Sequence, residues 1–302
     1  MILMHFSVSR SEIESAFAPA IRRQVVGDDP EWNRIVGAAS PTIASRLRHW
    51  LRRPFSSDDV AEVYEEKWSK DETDQLIAKR FDMAGGHDPL VWGDRRFFAN
   101  ARGTKRVHLL YLMRLIETLK PKTVLEVGAG TGANLFILAA RYPHIAFTGV
   151  ELTRAGYDTA KDIRSRPAIP QPLVEFSPLP IQSAIAHQTV SLHQGSAAAL
   201  PFATQSFDLV YTVQALEQME SIRGDALRQI ARVSRHHAAM FEPFAEWNVS
   251  PQRRHKIRSR NYFSAAISDL PGYGLKPIYS TDDMPSKLAY GIGFVVAAST
   301  QQ

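Results

Sequence analysis

The segment Thr123–Asn134 constrains the fold of this chain more than any other part of the sequence. Apolar and β-branched residues at Thr123–Val127 run directly into Gly128–Gly132 (Gly-Ala-Gly-Thr-Gly), and helical spacing follows over Asn134–Arg141. Glycines at such a junction allow a sharp turn and let the backbone approach a ligand closely. The free N–H groups at a helix N-terminus attract an anionic or polar group. The pattern therefore predicts a nucleotide-like ligand above this loop.

The residue before the loop argues against a dinucleotide as that ligand. Gly128, Gly130 and Ala133 satisfy the pattern G-x-G-x-x-G/A, which is a weak match by itself. The position two residues before the first glycine is normally apolar and faces the core, but here it is Glu126. Burying a carboxylate without a partner is costly, so we expect Glu126 to face the ligand cleft and to suit an ammonium group there. The loop also follows a long predicted helix, Val107–Leu119, whereas a dinucleotide loop usually opens its domain.

Short apolar segments alternate with helical segments along the second two thirds of the chain. This alternation predicts an α/β fold with a seven-stranded, mostly parallel, doubly wound (Rossmann-like) sheet. The predicted strands are Thr123–Val127, Ile145–Glu151, Val190–His193, Phe207–Val213, Ala238–Phe241, Pro277–Ser280 and Gly293–Ala298.

The chain divides by pattern into two regions. Residues 1–104 are predicted to be a helical N-terminal extension, and residues 105–302 form the ligand-binding domain. Within the extension, helices are expected after Ser40-Pro41, from Ser57, and around Asp74–Phe81, with an irregular stretch at His87–Gly103. Within the domain, residues 166–189 are rich in proline and are predicted to be an extended, exposed insertion.

The composition excludes several classes of site. The chain of 302 residues has no cysteine, which excludes disulfides, thiolate zinc sites, iron–sulfur clusters and a cysteine nucleophile. No apolar run approaches the roughly 18 residues that a membrane-spanning helix needs, so a cytoplasmic protein is expected. The adjacent His236-His237 would point in different directions on a regular element, and no metal site is predicted.

The net charge of the chain arises in one segment. Lys plus Arg number 36 and Asp plus Glu number 31, and residues 253–260 contain five basic side chains and no acidic one. Without that segment the chain balances at 31 against 31. The sequence is therefore not a general polycation, and the basic segment is a solvated face, a site for an anionic part of a substrate, or a contact for a nucleic acid backbone.

Four ordered segments resemble the motifs of class I S-adenosylmethionine (SAM)-dependent methyltransferases, and in particular the ubiquinone-biosynthesis-like branch. Glu126–Gly132 resembles the first motif, an acid and a free residue before Gly-x-Gly-x-Gly. Gly149–Leu152 resembles the second, in which an acid closes the second strand. Gly195–Phe202 is similar to the third motif with its Leu-Pro-Phe turn, and Ser206–Val210 to the fourth strand. The resemblance covers roughly residues 105–300.

The resemblance implies a cofactor, SAM, and a role for each matched position. Glu126 would hold the methionine amino group, Glu151 would accept from both ribose hydroxyls, Leu152 would pack on the adenine, and the N–H of Ala197 would meet an adenine nitrogen. The full predicted cofactor set is Glu126, Gly128, Ala129, Gly130, Gly132, Asn134, Glu151, Leu152, Ser196, Ala197 and Gln214.

Two positions depart from the family pattern. Ser196 stands where the family usually has an acid that accepts from the adenine amine, which we expect to weaken binding by about 1 kcal/mol. Gln218 stands where many relatives have a histidine, so an obvious imidazole base is missing. These departures leave open a non-catalytic subunit with the same fold.

The acceptor side is predicted from residues after the fourth and fifth strands, because ligands of this fold bind at the carboxyl ends of the strands. A base is needed only if the acceptor carries a proton of high pKa. Glu242 is the first candidate for a catalytic role and Glu217 the second. Predicted substrate residues are Phe244, Trp247, Asn248, Tyr64, Trp68 and Arg254, with core packing as the alternative for the aromatic members.

The sequence therefore predicts a methyltransferase that acts on a small molecule. The basic segment leaves open that this molecule is anionic. An RNA methyltransferase that uses residues 253–260 is the alternative, but the charge-balanced N-terminal region argues against nucleic acid as a partner. The N-terminal helices are expected to close over the cofactor as a lid. The sequence does not identify the acceptor or the methylated atom, and it leaves a homodimer open.

Overall fold

The computed structural model describes residues 6–38 and 57–300. In chain order the strands are β1 (Ile21–Val25), β2 (Asp88–Trp92), β3 (Arg95–Ala99), β4 (Thr123–Val127), β5 (Ala146–Glu151), β6 (Ser191–Gln194), β7 (Phe207–Val213), β8 (Ser234–Glu242), β9 (Leu275–Thr281), β10 (Ser286–Lys287) and β11 (Gly293–Ser299). They form a seven-stranded sheet in the order β6-β5-β4-β7-β8-β11-β9 and a four-stranded sheet in the order β1-β3-β2-β10.

Helices cover both faces of the large sheet. The α-helices are α1 (Arg10–Phe17), α2 (Pro30–Ala38), α3 (Ser57–Ser69), α4 (Thr73–Phe81), α5 (Arg102–Leu119), α6 (Ala133–Arg141), α7 (Arg154–Ser165), α8 (Gln171–Phe176), α9 (Arg223–Val233) and α10 (Pro251–Arg260). Short 3-10 turns lie at Ala18–Ala20, Ala186–Thr189, Leu216–Gln218, Glu220–Ile222, Ala245–Trp247 and Ile267–Tyr273. Within the described ranges, none of the helices has the length and apolarity needed to span a bilayer.

The large sheet confirms the predicted fold class. Strands β4, β5, β6, β7 and β8 are parallel, and β11 is antiparallel to both of its neighbours, β8 and β9. The carboxyl ends of the parallel strands meet at one edge of the sheet, and connections at that edge form the ligand crevice in open α/β sheets. The loops after β4, β5 and β7 therefore converge on one site.

Alternation along the central strands divides the core into two layers. Val124, Leu209 and Phe241 face the layer that contains α5 and α6, whereas Leu125 and Val210 face the layer that contains α9. Side chains that alternate between the two faces and are apolar on both are expected of a parallel sheet buried on each side.

The N-terminal region is not wholly helical, contrary to the prediction. It contains β1 and a hairpin of β2 and β3, which lies where an irregular stretch was expected. Gly93 makes the two-residue turn of this hairpin with a left-handed φ of 57°, and Leu90 and Phe97 are buried on its inner side. Two aromatic and β-branched runs around a glycine are typical of a hairpin. The helix expected after Ser40-Pro41 lies outside the described residues.

The small sheet joins distant parts of the chain. Its edge strand β10 comes from the C-terminal third and pairs with β2, with Ser286 opposite Val91 and Lys287 opposite Leu90. The indole N–H of Trp92 donates to Asp283 at 2.6 Å, which ties the same two segments together. The pairing and this hydrogen bond therefore connect the hairpin of β2 and β3 with residues 283–287.

The proline-rich insertion is folded rather than extended, which corrects the prediction for residues 166–189. It contains α8 and the turn Ala186–Thr189, with Leu173, Phe176 and Ala186 buried. Proline is tolerated in the first turn of a helix, as Pro172 is here, so a proline-rich stretch need not remain extended.

The segment after β8 packs into the core. Phe244 is fully buried and meets Phe263 edge-to-face at 5.1 Å between ring centroids. The Asn248 amide donates to the carbonyls of Phe244 and Gly291 at 3.0 and 2.9 Å. The Trp247 ring lies against Gly293, where a Cβ atom would come within 2.4 Å of it. These contacts pack the first residues of β11 against the turn Ala245–Trp247.

We predict that Gly293→Ala destabilises the protein by about 1–3 kcal/mol, because the added methyl group overlaps the Trp247 ring and strains this packing. Thermal unfolding of both proteins would measure the change. Gly272→Ala is the control, since a Cβ atom there meets nothing within 4 Å, and it should change stability by less than about 0.5 kcal/mol. Equal melting temperatures for Gly293→Ala and the parent would contradict the prediction.

Candidate active site

The glycine loop after β4 has a conformation that other residues would strain. Gly128 and Gly132 have left-handed φ values of 77° and 74°. A Cβ atom on Gly128 would lie 2.5 Å from that of Ala215, so the loop packs directly against the connection after β7. The N–H groups of Gly128 and Ala129 both donate to the carbonyl of Val150 at 2.9 Å. Glycine at these positions thus allows the ends of β4, β5 and β7 to pack closely together.

Glu126, the last acid before the loop, is a buried carboxylate with two fixed partners. It is 2% exposed, and it accepts from the Asn134 amide at 2.9 Å and from the Tyr211 hydroxyl at 3.0 Å. Burial raises the pKa of Glu126 to about 8, and the two donors and the charge of Arg80 oppose that rise. A cation that reached this carboxylate would favour its ionised form.

Glu151, the last residue of β5, connects the glycine loop to the next helix. One carboxylate oxygen accepts from Gly130 N–H at 2.8 Å, and the other accepts from the N–H and hydroxyl of Thr153 at 2.9 and 2.6 Å. A carboxylate has about four acceptor positions, so capacity for a further donor remains. The neighbouring Leu152 is 41% exposed and offers an apolar surface beside this carboxylate.

A cavity of about 400 Å³ lies above these strand ends, within the range of small-molecule sites. Its walls come from the glycine loop, the ends of β5 and β7, helices α3, α4 and α5, and strand β10. Among its lining residues are Tyr64, Lys67, Trp68, Arg80, Phe81, Arg102, Thr104, Lys105, His108, Glu126, Gly128, Ala129, Gly130, Asn134, Glu151, Leu152, Phe176, Ser196, Ala197, Gln214, Glu217, Gln218, Lys287 and Tyr290.

Helices α3 and α4 cover one side of this cavity. Glu65 accepts from Ala155 N–H at 2.9 Å and so occupies the N-terminus of α7. The Trp68 ring lies close to the glycine loop, since a Cβ atom on Gly130 would be 3.6 Å from it. Phe81 of α4 meets Phe176 of α8 edge-to-face at 5.0 Å, so the insertion supports this cover.

The connection after β7 is held by a buried carboxylate. Glu242 accepts from the N–H groups of Ala215 and Leu216 at 3.1 Å and of Glu217 at 2.9 Å. Burial raises the pKa of Glu242 to about 8, and the nearby Glu217 carboxylate adds to that rise. Glu242 does not line the cavity; its carboxylate fixes the turn that places Glu217 there.

Glu217 brings an unsatisfied acceptor to the cavity. It is 6% exposed, one oxygen accepts from the Gln218 amide at 3.1 Å, and the other has no partner among the described residues. Burial raises the pKa of Glu217, and the charges of Lys105 and Lys287 oppose that rise. The preceding Gln214 has a left-handed φ of 52°, an uncommon conformation for this residue type that turns the chain toward the cavity.

Most of the predicted cofactor residues lie together. The exception is Gly132, which immediately precedes α6 and does not line the cavity. Of the predicted substrate residues, Tyr64 and Trp68 line the cavity. Phe244, Trp247 and Asn248 lie in the packed segment after β8, and the exposed Arg254 belongs to α10. None of these four residues lines the cavity, because the chain after β8 turns back into the core instead of continuing across the crevice.

Sequence reasoning missed the basic lining of the cavity. Lys67, Arg80, Arg102, Lys105 and Lys287 all border it. In the sequence these residues are ordinary charged positions on amphipathic helices and on a two-residue strand, so no local signal separates them from a solvated face. The one usable hint was the spacing of Lys105 and His108, which puts both on one face of a helix. No group of three or more His, Cys, Asp or Glu side chains in the described part of the chain is arranged to hold a metal ion.

Comparison with known proteins agrees with this geometry. Residues 125–241 match the family model of a methyltransferase domain. The [4+2]-cyclase SpnF has the same fold, with a TM-score of 0.56 at 16% identity over 82% of this chain and 98% of that one. Magnesium protoporphyrin IX methyltransferase from Synechocystis PCC 6803, solved with bound SAH, matches 66% of this chain and 85% of its own at 13% identity, with a TM-score of 0.48.

Residues 125–241 thus match a methyltransferase domain on a Rossmann-like fold, which supports a SAM-dependent methyltransferase. The same match indicates S-adenosylmethionine as the cofactor. The residues fit that cofactor, since a buried carboxylate, a turn of glycine N–H groups and a second carboxylate with free acceptor capacity border one cavity. The narrower resemblance to the ubiquinone-biosynthesis-like branch stays a prediction.

We predict that Glu126→Gln stabilises the ligand-free protein increasingly as the pH rises. The native state holds a proton on Glu126 up to about pH 8, whereas the unfolded chain loses it near 4.5, so its contribution to stability falls between those values. The amide keeps the shape of the side chain and removes this dependence. The melting temperature relative to the parent should therefore rise from pH 5 to pH 8.5.

Glu62→Gln is the control for this experiment, because Glu62 is an exposed carboxylate on α3. Its melting temperature should follow that of the parent across the same pH range. A constant difference between Glu126→Gln and the parent from pH 5 to pH 8.5 would contradict the assigned burial effect.

Proposed function

We propose that this methyltransferase acts on a small anionic molecule that binds beside SAM in the cavity described above. The observation that carries the proposal is the cavity itself. It is covered by α3 and α4, and both the glycine loop with Glu151 and a group of Glu217 and several lysines border it. We assign the first group to a cofactor half and the second to an acceptor half. A cavity of this size suits a small acceptor.

The cofactor half would contain the residues predicted for it. Glu126 would hold the methionine ammonium group, whose charge relieves the burial of this carboxylate. Glu151 would accept from the ribose through its remaining lone pairs, and the exposed face of Leu152 would pack on the adenine. When bound, SAM supplies an electrophilic methyl group.

The acceptor half would be the part beyond Gln214, which is bordered by Tyr64, Lys67, Lys105, Glu217, Lys287 and Tyr290. Three lysine side chains and one carboxylate border this half, so basic groups outnumber acidic ones there. Burial lowers the pKa of Lys67, and its Nζ lies 4.7 Å from the ring centres of both Tyr64 and Trp68. An anionic group on the acceptor would compensate these charges.

The two predicted catalytic carboxylates take different parts in this proposal. Glu217, with its unsatisfied buried oxygen, would accept a hydrogen bond from the acceptor and orient it. Glu242 would act as a positioning residue, since its three backbone hydrogen bonds fix the turn that contains Glu217. Alignment of donor and acceptor is the main demand of a methyl transfer.

Helices α3 and α4 would serve as the lid predicted for residues 1–104. Their contacts to the methyltransferase domain include the pairing of Arg166 with Asp74 and the hydrogen bond from Ala155 N–H to Glu65. Opening these polar contacts and the packing of Trp68 and Phe81 would admit ligands without disturbing the large sheet. The basic helix α10 lies outside the cavity lining, so the alternative of RNA methylation has no support from the site.

We expect the protein to bind S-adenosylhomocysteine, the demethylated cofactor, and Glu151→Gln to weaken that binding at least about tenfold, because one carboxylate acceptor for the ribose becomes a donor. Isothermal titration calorimetry measures both. Glu175→Gln, on the exposed face of α8, is the control and should bind as the parent does. No heat of binding to the parent at millimolar ligand would refute the cofactor assignment.

We expect anionic acceptors to be preferred over neutral ones. The test is a panel of phenols, amines and 1,3-dicarbonyl compounds, each supplied as the carboxylate and as its methyl ester, with release of S-adenosylhomocysteine as the readout. Carboxylates should turn over at least about tenfold faster, and Lys287→Met should reduce that preference, because one compensating charge is removed. Equal turnover of both forms, or none across the panel, contradicts a small anionic acceptor.

A further inference from the structure

The first turns of α5 border the acceptor half of the cavity. Thr104, Lys105 and His108 all line it, and the three-residue spacing of Lys105 and His108 places them on one face of the helix. The helix begins at Arg102, five residues before the predicted start, and this extension includes Lys105 in its first turn. A cation in a first turn opposes the helix dipole, so helix stability does not explain its presence.

Lys105 has an environment unlike that of a surface lysine. Its side chain is accessible from the cavity that it lines, and the buried Thr104 and His108 flank it on the same helix. Within residues 6–38 and 57–300, no hydrogen bond or ion pair engages its Nζ atom. Burial lowers the pKa of Lys105 to about 7, the charges of Arg80, Lys67 and Lys287 add to that effect, and Glu217 opposes it.

We propose that Lys105 is the catalytic base of this enzyme and that the acceptor is methylated at an oxygen or nitrogen that carries a proton. This inference rests on the proposed function, since it requires the acceptor to occupy the half of the cavity that Lys105 borders. A lysine lowered toward neutrality by burial and by other cations is suited to remove protons near pH 7.

The proton moves from the acceptor to the Nζ atom of Lys105. The acceptor O–H or N–H bond breaks, its electron pair stays on the oxygen or nitrogen, and the proton forms a new N–H bond on the neutral amine of Lys105. That electron pair is then free to attack the methyl group. The ammonium of Lys105 returns its extra proton to water when product leaves, which restores the amine for the next cycle.

The other titratable groups around the acceptor half are less suited to this step. Burial lowers the pKa of His108 to about 3, so its imidazole is too weak a base at neutral pH. Burial raises the pKa of the Tyr64 and Tyr290 hydroxyls, which therefore keep their protons. The Glu242 carboxylate is occupied by three N–H groups and lies off the lining.

The first test is the titration of Lys105, which needs no acceptor. Brief acylation with acetic anhydride, across pH 5 to 11 and followed by peptide mass spectrometry, measures the neutral fraction of each lysine. Lys105 should reach half of its maximal labelling near pH 7, far below the value of about 10.4 for a lysine in a model peptide, and the exposed Lys276 on β9 serves as the internal reference for labelling. Half-labelling of Lys105 above pH 9 would overturn the proposal.

The second test distinguishes a Lys105 that removes a proton from one that only contributes positive charge. Lys105→Arg keeps a long basic side chain but cannot lose its proton, so it should bind S-adenosylhomocysteine as the parent does and lose at least about a hundredfold in turnover of any acceptor found in the panel above. Lys67→Met removes a neighbouring charge and should move the half-labelling of Lys105 to higher pH. Turnover of Lys105→Arg that equals the parent, with the same pH profile, would also overturn the proposal.

These outcomes distinguish the two proposals. Failure of the parent to bind S-adenosylhomocysteine refutes the proposed function, whatever the titration of Lys105. Intact binding together with an ordinary titration of Lys105 refutes the catalytic base alone.

Discussion

The burial of Glu126 at the end of β4 is the constraint on which the rest of the site depends. A carboxylate in that position needs donors, and it takes them from Tyr211 on β7 and Asn134 on α6. These two bonds fix the strands and the helix on both sides of the glycine loop. Because unpaired burial would be costly, the arrangement is stable only if all three elements meet at this point.

The same principle recurs at the next strand end. Glu242 is fully buried at the end of β8, and it collects three backbone N–H groups from the connection after β7. Both carboxylates therefore act first as structural centres around which loops are ordered. The difference is that Glu126 also borders the cavity, while Glu242 acts on the cavity only through the turn that contains Glu217.

Local pattern predicted the large sheet well and the N-terminal region poorly. Strands β4 and β7 have their predicted bounds because short apolar runs between helices leave few alternatives. The hairpin of β2 and β3 was missed because its polar and aromatic residues do not alternate cleanly, and its partner β10 lies almost 200 residues away. Pairing over such a separation has no signature in a local window.

The sequence by itself indicated the methyltransferase domain, the glycine loop and two acids that border the cavity, Glu126 and Glu151, because these depend on residue types at short fixed spacing. Only the tertiary structure decided which side chains form the acceptor half that we propose. Lys67, Lys105, Glu217 and Lys287 lie on four separate elements and are brought together by packing alone. Burial then shifts the pKa of Lys67, Lys105 and Glu217, and burial is a property of the folded chain rather than of any segment.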